Sequence, residues 1–311
     1  GYAPSAEGSD RATLDFFMDK NGKDCHAVSM NPSEIRTVLE QLGRGANKSL
    51  GQHFLIDRAA LRAVVDAVHI QTGDRVVEIG PGLGVLTGEL LQHGANVISI
   101  ERDRGLAAWL RQRYAAEIEQ GQFTLIEADA AEGDWLRVVS EGPWKFVSNL
   151  PYSITSLPLR LALWAPNPPT KHSVLFQKEV ADRIIDGDDT SLLSLMVGLA
   201  AQSSRIMRRV PPGAFYPPPK VDSAVLFVDV LATVDRLAQW GIAPERVMSY
   251  AKKGFAHPRK MLMSNLQLEP QDRSLLEGQG FAPTIRAEAL DVQAWVKLAK
   301  ALETARGDVM S

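Results

Sequence analysis

The run Val76-Val77-Glu78-Ile79 ends in Gly80-Pro81-Gly82-Leu83-Gly84. A helical stretch follows from Val85 to His93, with Leu86, Leu90 and Leu91 on one face and a stop at Gly94. A buried strand that turns through glycines into a helix is the unit of an α/β sheet, because parallel neighbours need a crossover and a helix supplies it. The same alternation recurs along the chain. Strand-like runs near 75–79, 96–100, 123–127, 144–148, 172–177, 205–210 and 223–230 are separated by helical stretches, except that the last two read as a pair. The pattern predicts a doubly wound α/β fold with a seven-stranded sheet. Ahead of it, Asn31-Pro32-Ser33 can open a helix with Ile35, Val38, Leu39 and Leu42 on its apolar face, and Asp57 is placed to N-cap a helix bearing Leu61, Val64, Val65 and Val68. After Leu231 the periodicity turns helical, with apolar-faced segments around 244–266, 270–279 and 291–304. Residues 1–29 hold no sustained periodicity and read as a flexible leader, with Met30 a natural start. The expected organisation is leader 1–29, sheet domain 30–231 and a small helical domain 232–311.

Open α/β sheets bind ligands beyond the carboxyl ends of their strands, and four successive strands here end in residues with chemistry to offer. The glycine turn with Gly80 and Gly82 lets a backbone approach a ligand. The next strand, Asn96-Val97-Ile98-Ser99-Ile100, ends in Glu101, whose carboxylate can grip two ribose hydroxyls. The third, Phe123-Thr124-Leu125-Ile126-Glu127, runs into Ala128-Asp129-Ala130, where Asp129 can accept from an adenine amino group. A dinucleotide fingerprint requires a third glycine three residues after the second, and Gly80, Gly82 and Gly84 do not fit it. The order of turn, ribose acid and adenine acid suits S-adenosyl-L-methionine better than a nicotinamide cofactor. The fourth strand, Trp144 to Ser148, closes in Asn149-Leu150-Pro151-Tyr152. The Asn149 side-chain oxygen and the Leu150 carbonyl can accept hydrogen bonds from an amine, Pro151 stiffens the turn, and Tyr152 can stack on a planar base. Taken alone, that tetrapeptide also reads as a plain turn after a buried strand.

Longer motifs accompany these sites. They are Lys48-Ser49-Leu50-Gly51-Gln52-His53-Phe54-Leu55, Phe176-Gln177-Lys178-Glu179-Val180, and Phe215-Tyr216-Pro217-Pro218-Pro219-Lys220-Val221-Asp222-Ser223-Ala224-Val225. Phe255 with Arg259-Lys260 and Asn265-Leu266 makes a further segment. Over about residues 47 to 300 the chain resembles the ribosomal RNA adenine N6,N6-dimethyltransferases, the kasugamycin-resistance family. The resemblance implies the methyltransferase version of the doubly wound fold, S-adenosyl-L-methionine as cofactor, and methylation of two adjacent loop adenines near the 3' end of small-subunit rRNA. It also implies that His53, Leu55, Gly80, Gly82, Glu101, Asp129 and Asn149 hold the cofactor. Asn149, Leu150, Pro151 and Tyr152 then serve the target base, with Phe215 as a second aromatic wall; an ordinary core phenylalanine is the other reading of Phe215. Two departures stand out. The family usually has Asn where His53 stands, and a Tyr-Gly-Arg-Leu-Ser type run where this chain reads Asp188-Asp189-Thr190-Ser191-Leu192-Leu193-Ser194. The second puts RNA contacts from that loop in doubt.

The formal net charge of −3 argues against a nucleic-acid partner only if the chain is taken whole. From Arg205 to Asn265 there are ten Lys and Arg against four acids, a local excess of +6. Arg208, Arg209, Lys220, Lys252, Lys253, Arg259 and Lys260 are its candidates for RNA phosphates. A single cysteine, Cys25, excludes an internal disulfide framework and a cysteine-rich zinc site, as expected for a cytoplasmic protein. The histidines are scattered away from Cys or Asp pairs, so no metal is expected. No Gly-x-Ser-x-Gly nucleophile turn is present, and no apolar run approaches a membrane span. The expected partner is rRNA in the small ribosomal subunit or its precursor, bound by a monomer. Competing readings are an erythromycin-resistance type enzyme acting on large-subunit RNA, a non-catalytic nucleic-acid-binding relative, and a methyltransferase for small molecules or proteins.

Overall fold

The computed structural model describes residues 30–43, 53–150, 156–186 and 190–307. The leader 1–29, most of the Lys48–Leu55 motif, Pro151, Tyr152 and Asp188-Asp189 lie outside the described residues. Among the described residues the strands in chain order are β1 (Phe54–Leu55), β2 (Arg75–Ile79), β3 (Asn96–Glu101), β4 (Phe123–Glu127), β5 (Lys145–Asn149), β6 (Lys171–Gln177), β7 (Ala201–Val210), β8 (Phe215–Tyr216) and β9 (Ser223–Val230). Seven of them form one sheet in the order β4-β3-β2-β5-β6-β9-β7. β4, β3, β2, β5 and β6 run parallel, and β9 is inserted antiparallel between β6 and β7. The seven expected strands are all present, and the last two pair as their spacing predicts. β1 and β8 form a separate antiparallel ribbon, with Phe54 opposite Tyr216 and Leu55 opposite Phe215.

Alternation along each strand divides the core between the two faces of the sheet. Val76, Val97 and Val147 face one cluster, with Ile35, Leu61, Val64, Leu86, Leu90 and Trp109 from the covering helices. Their neighbours Val77, Ile98 and Phe146 face the other, with Trp135, Trp144, Leu159 and Leu163. The predicted helix starts are present. Asn31 and Glu34 form a capping box on the helix Pro32–Gln41, and the Asp57 carboxylate accepts from the Ala60 amide at 2.6 Å at the head of Arg58–Asp66.

A third cluster gathers Trp240, Val247, Leu262, Leu276, Trp295, Leu298 and Leu302 from the C-terminal helices. Leu195, Met196 and Leu199 of the helix Leu192–Ala200 belong to it, while Val197 and Ala200 of the same helix face the sheet. That helix therefore joins the helical part to the α/β part. The segment expected as one helix around 244–266 is two, Pro244–Gly254 and Leu262–Asn265. Pro258 lies between them, and proline cannot continue a helix ladder. Among the described residues no helix is long and apolar enough to cross a membrane.

Candidate active site

The order of the sheet places the site. β2 sits between β3 and β5, where the direction of winding reverses, and such a switch point opens a crevice at the strand ends. The β2 turn contributes Gly80, Gly82 and Gly84, all with positive φ of 66°, 59° and 85°. The freedom at Gly84 serves packing: a Cβ there would lie 2.7 Å from the Tyr114 ring, whose hydroxyl donates to the Gly84 carbonyl at 2.5 Å. At Gly82 the neighbour is the Phe54 ring, 3.2 Å from an added Cβ. The turn is thus moulded onto aromatic rings beneath it. Burial pushes the Tyr114 hydroxyl up to about 12, so it stays a neutral donor.

Glu101, at the end of β3, is 8% exposed and is reached by main-chain N–H groups of Asp103 at 2.8 Å and Gly82 at 3.3 Å. Burial raises its pKa, and those two amides act in the opposite sense. A carboxylate fixed in this way, one strand from a glycine turn, suits a vicinal diol. Asp129 lies beyond β4, adjacent to β3. Its carboxylate accepts from the Ala131 amide at 2.9 Å and from the Arg102 guanidinium at 3.0 Å. The Ala131 bond, and after it Arg102, hold it below the usual carboxylate range, so it is an anion at neutral pH. Arg102 was not singled out from the sequence. The only signal for it was a cation directly after the ribose acid.

On the other side of the switch point, Ser148 donates to the Ile79 carbonyl at 2.6 Å and ties β5 to the end of β2. Asn149 then points its amide nitrogen at the His53 carbonyl, 3.3 Å away. With the donor end engaged, the amide oxygen is the end free to accept from a substrate amine. Leu150 is buried, and its N–H is taken by the Leu175 carbonyl of β6 at 3.2 Å. The His53 ring Nδ1 donates to the Pro217 carbonyl at 2.7 Å. Thus His53, in the place the family usually gives to Asn, links the β1 segment, Asn149 and the Phe215–Pro219 motif. Leu55 is buried in β1 opposite Phe215.

Phe215 is 2% exposed and packs in the same cluster as Leu55, Val210 and Ala214. Its β8 pairing with β1 draws the ring inward. The neighbouring Tyr216 stays half-buried, with its hydroxyl 3.4 Å from the Arg36 Nε.

The most perturbed acid is Glu78, 1% exposed, whose Oε2 accepts from Thr87 at 2.7 Å and Ser99 at 2.8 Å. Burial pushes its carboxyl up to about 7. A raised folded pKa gives stability that is full below the ordinary carboxylate value and lost as pH rises through about 7. We expect the wild-type melting temperature to fall across that window and Glu78→Gln to flatten the fall, a difference of roughly 1–3 kcal/mol at pH 8 by linkage. Thermal melts of both proteins from pH 5 to 8 check this.

All seven candidate RNA contacts are exposed, but they are not equivalent. Arg208 and Arg209 lie toward the end of edge strand β7 that shares the site end of the sheet with the start of β9. Arg209 is already paired with Asp182 at 2.9 Å, and Lys178 reaches the same carboxylate at 2.8 Å. Lys220 lies in the loop after β8. Lys252, Lys253, Arg259 and Lys260 cluster in the helical part. In the divergent loop, Ser191 and Ser194 form a capping box on Leu192–Ala200, and the Thr190 amide donates to the Glu288 carbonyl at 3.0 Å. That stretch is spent on the fold. Among the described residues no cluster of metal ligands is present.

A doubly wound sheet with a glycine turn, two strand-end acids and an amide at the switch point defines an S-adenosylmethionine-dependent methyltransferase. Residues 43–299 match the family model of ribosomal RNA adenine dimethylases, and the chain belongs to that family. Among curated relatives, the ribosomal RNA small subunit methyltransferase A of Dehalococcoides mccartyi is 36% identical over 89% of this chain and 97% of its own length. The protein of the same description from Caulobacter vibrioides is 39% identical, over 82% and 97%. Of solved structures, that of 23S rRNA methyltransferase ErmE is similar with a TM-score of 0.60 and 25% identity, covering 80% of this chain and 99% of that one. A dimethyladenosine transferase from Plasmodium falciparum shares the fold, with a TM-score of 0.62 at 22% identity, over 82% and 98%.

Proposed function

We propose that this protein transfers methyl groups from S-adenosyl-L-methionine to the N6 amines of two adjacent loop adenines in small-subunit rRNA, within the subunit or its precursor. The observation that carries the reading is Asn149, held at the switch point with its amide oxygen free, with Glu101 at the end of β3 and Asp129 beyond β4 on the far side of the β2 glycine turn. The residues present fit the cofactor. Glu101 offers a buried carboxylate to the ribose hydroxyls, Asp129 an anion to the adenine amine, and the Gly80–Gly84 turn a close backbone. Bound there, the sulfonium cofactor supplies an already electrophilic methyl group.

The protein's own contribution is position and electrostatics. An adenine N6 lone pair is delocalised into the ring and is a poor nucleophile. Accepting its N–H bonds with the Asn149 oxygen and the Leu150 carbonyl favours a pyramidal nitrogen aimed at the methyl. Those bonds strengthen as positive charge grows on nitrogen, so they lower the barrier more than they tighten the ground state. No strong general base is required. Tyr152, by the family motif, stacks on the extruded base. Leaving its stack costs the base a few kcal/mol, and less in a loop than in a duplex.

The likeness to the ErmE structure keeps the large-subunit alternative in view, and the curated relatives at 36–39% identity favour the small subunit. Incorporation of labelled methyl groups into purified small subunits, large subunits and free RNA at matched salt separates them. We expect immature small subunits to be labelled, naked rRNA poorly, and preferential labelling of large subunits would overturn the substrate assignment. If the basic residues meet phosphates, each contact adds about 0.7–0.9 to the slope of log affinity against log salt, so Lys252→Ala/Lys253→Ala should flatten it measurably. An unchanged slope would remove that pair from the interface.

A further inference from the structure

The cations of the helical part differ in their partners. Arg246 lies 3.6 Å from Glu303, Arg306 3.4 Å from Asp272 and Arg286 3.8 Å from Glu288. By contrast, no carboxylate among the described residues pairs with Lys252, Lys253, Arg259 or Lys260. Lys252 and Lys253 occupy the last turn of Pro244–Gly254, where cations also favour a helix end. That account does not extend to Arg259 and Lys260, which stand on the turn beyond it.

The turn is held from inside by one side chain. Asn265 is 8% exposed, and its amide nitrogen donates to the Gly254 carbonyl at 2.6 Å and the His257 carbonyl at 2.9 Å. Both partners are carbonyls, which can only accept, so the amide has one possible orientation. The His257 carbonyl also accepts from the Lys260 amide at 2.9 Å, closing a turn with Pro258 at its second position. Phe255 stacks on the buried Trp295 ring at 5.6 Å beneath it. Among the described residues no group bonds the buried Asn265 oxygen. A residue kept for packing alone would not carry that unmet acceptor, so its two donor bonds are the reason for an amide at this position.

We propose that Asn265 is a positioning residue for RNA: its two bonds fix the turn 255–260 so that Arg259 and Lys260, beside Lys252 and Lys253, are arrayed for phosphates before the RNA arrives. This rests on the reading of this face as RNA-binding. Ordering a loop in advance removes its entropy cost from the binding step. The clamp therefore acts on affinity for the ribosomal particle and leaves the methyl-transfer site, on the sheet, untouched.

The test is filter binding of the full chain to purified small subunits over a salt series, using Asn265→Ala, Pro258→Gly, Arg259→Ala/Lys260→Ala and the combined triple variant. Asn265→Ala should weaken binding roughly tenfold and flatten the salt slope, with S-adenosylmethionine affinity unchanged. The triple variant should bind no worse than Arg259→Ala/Lys260→Ala, because residues acting through one turn are not additive. Additive losses, or a wild-type slope in Asn265→Ala, overturn the clamp. Pro258 is exposed, so Pro258→Gly loosens the turn without touching the core. It should show a smaller loss of the same kind, and it decides the matter if Asn265→Ala melts early; wild-type binding by Pro258→Gly then overturns the clamp. No loss in Arg259→Ala/Lys260→Ala overturns both the clamp and the RNA reading of this turn, whereas a loss there without one in Asn265→Ala overturns the clamp alone.

Discussion

Asn149→Ala should lower single-turnover methyl transfer by roughly 10²–10³, the scale of losing one electrostatic contact made in the transition state. The structure gives the reason for the size. The amide nitrogen is anchored on the His53 carbonyl, so the oxygen reaches the target amine without first having to be ordered. Preorganised acceptors are worth more than mobile ones because they need no reorganisation as charge develops. Cofactor affinity should change much less, since Glu101, Asp129 and the glycine turn remain. Asn149→Asp is an informative companion. It keeps an acceptor but cannot donate to His53, so it should recover little of the lost rate. Near-normal single-turnover rates in Asn149→Ala would remove Asn149 from the chemistry.

The second large effect is on the cofactor. Glu101→Ala should weaken S-adenosylmethionine by about 1.5–3 kcal/mol, roughly 10- to 150-fold, as expected for hydrogen bonds to a charged group. Glu101 is buried and its oxygens are fixed by the Asp103 and Gly82 amides. Removing it also leaves those two N–H groups without their acceptor. Glu101→Gln separates the two effects, because it keeps an acceptor for a backbone amide while losing the charge. Calorimetric titration of wild type and both variants measures this, with thermal melts as a check on the fold. Unchanged affinity in a folded Glu101→Ala protein would be incompatible with the ribose assignment.

What could be read from the sequence was what local periodicity and local chemistry encode. β2 to β7 and β9 each occupy a run with its own apolar pattern, and Asn31 and Asp57 cap the helices that start at the next residue by accepting from the amides of Glu34 and Ala60, three residues on. Strand-end residues such as Glu101 and Asp129 were legible because an α/β sheet delivers every parallel strand end to one side. The β1–β8 ribbon was not legible, because each strand is two residues long and pairs with a partner some 160 positions away. The break at 255–261 was hidden because the apolar positions on either side continue a helical period. What stops the helix is Pro258 together with the turn that Asn265 holds. Tyr114 could not be recognised as the support of the glycine turn, since nothing near it in sequence records that a ring must fit against Gly84. The missing arginine at 188–194 was visible, while the capping use of Ser191 and Ser194 required the fold.

The most direct test is to map N6,N6-dimethyladenine in rRNA from cells lacking this protein, then from the same cells supplied with wild type or with Asn149→Ala. The account predicts that two adjacent dimethylated adenines in small-subunit rRNA disappear, return with wild type, and fail to return with Asn149→Ala. An unchanged small-subunit pattern, or loss of a methylated adenine from large-subunit rRNA instead, would contradict it.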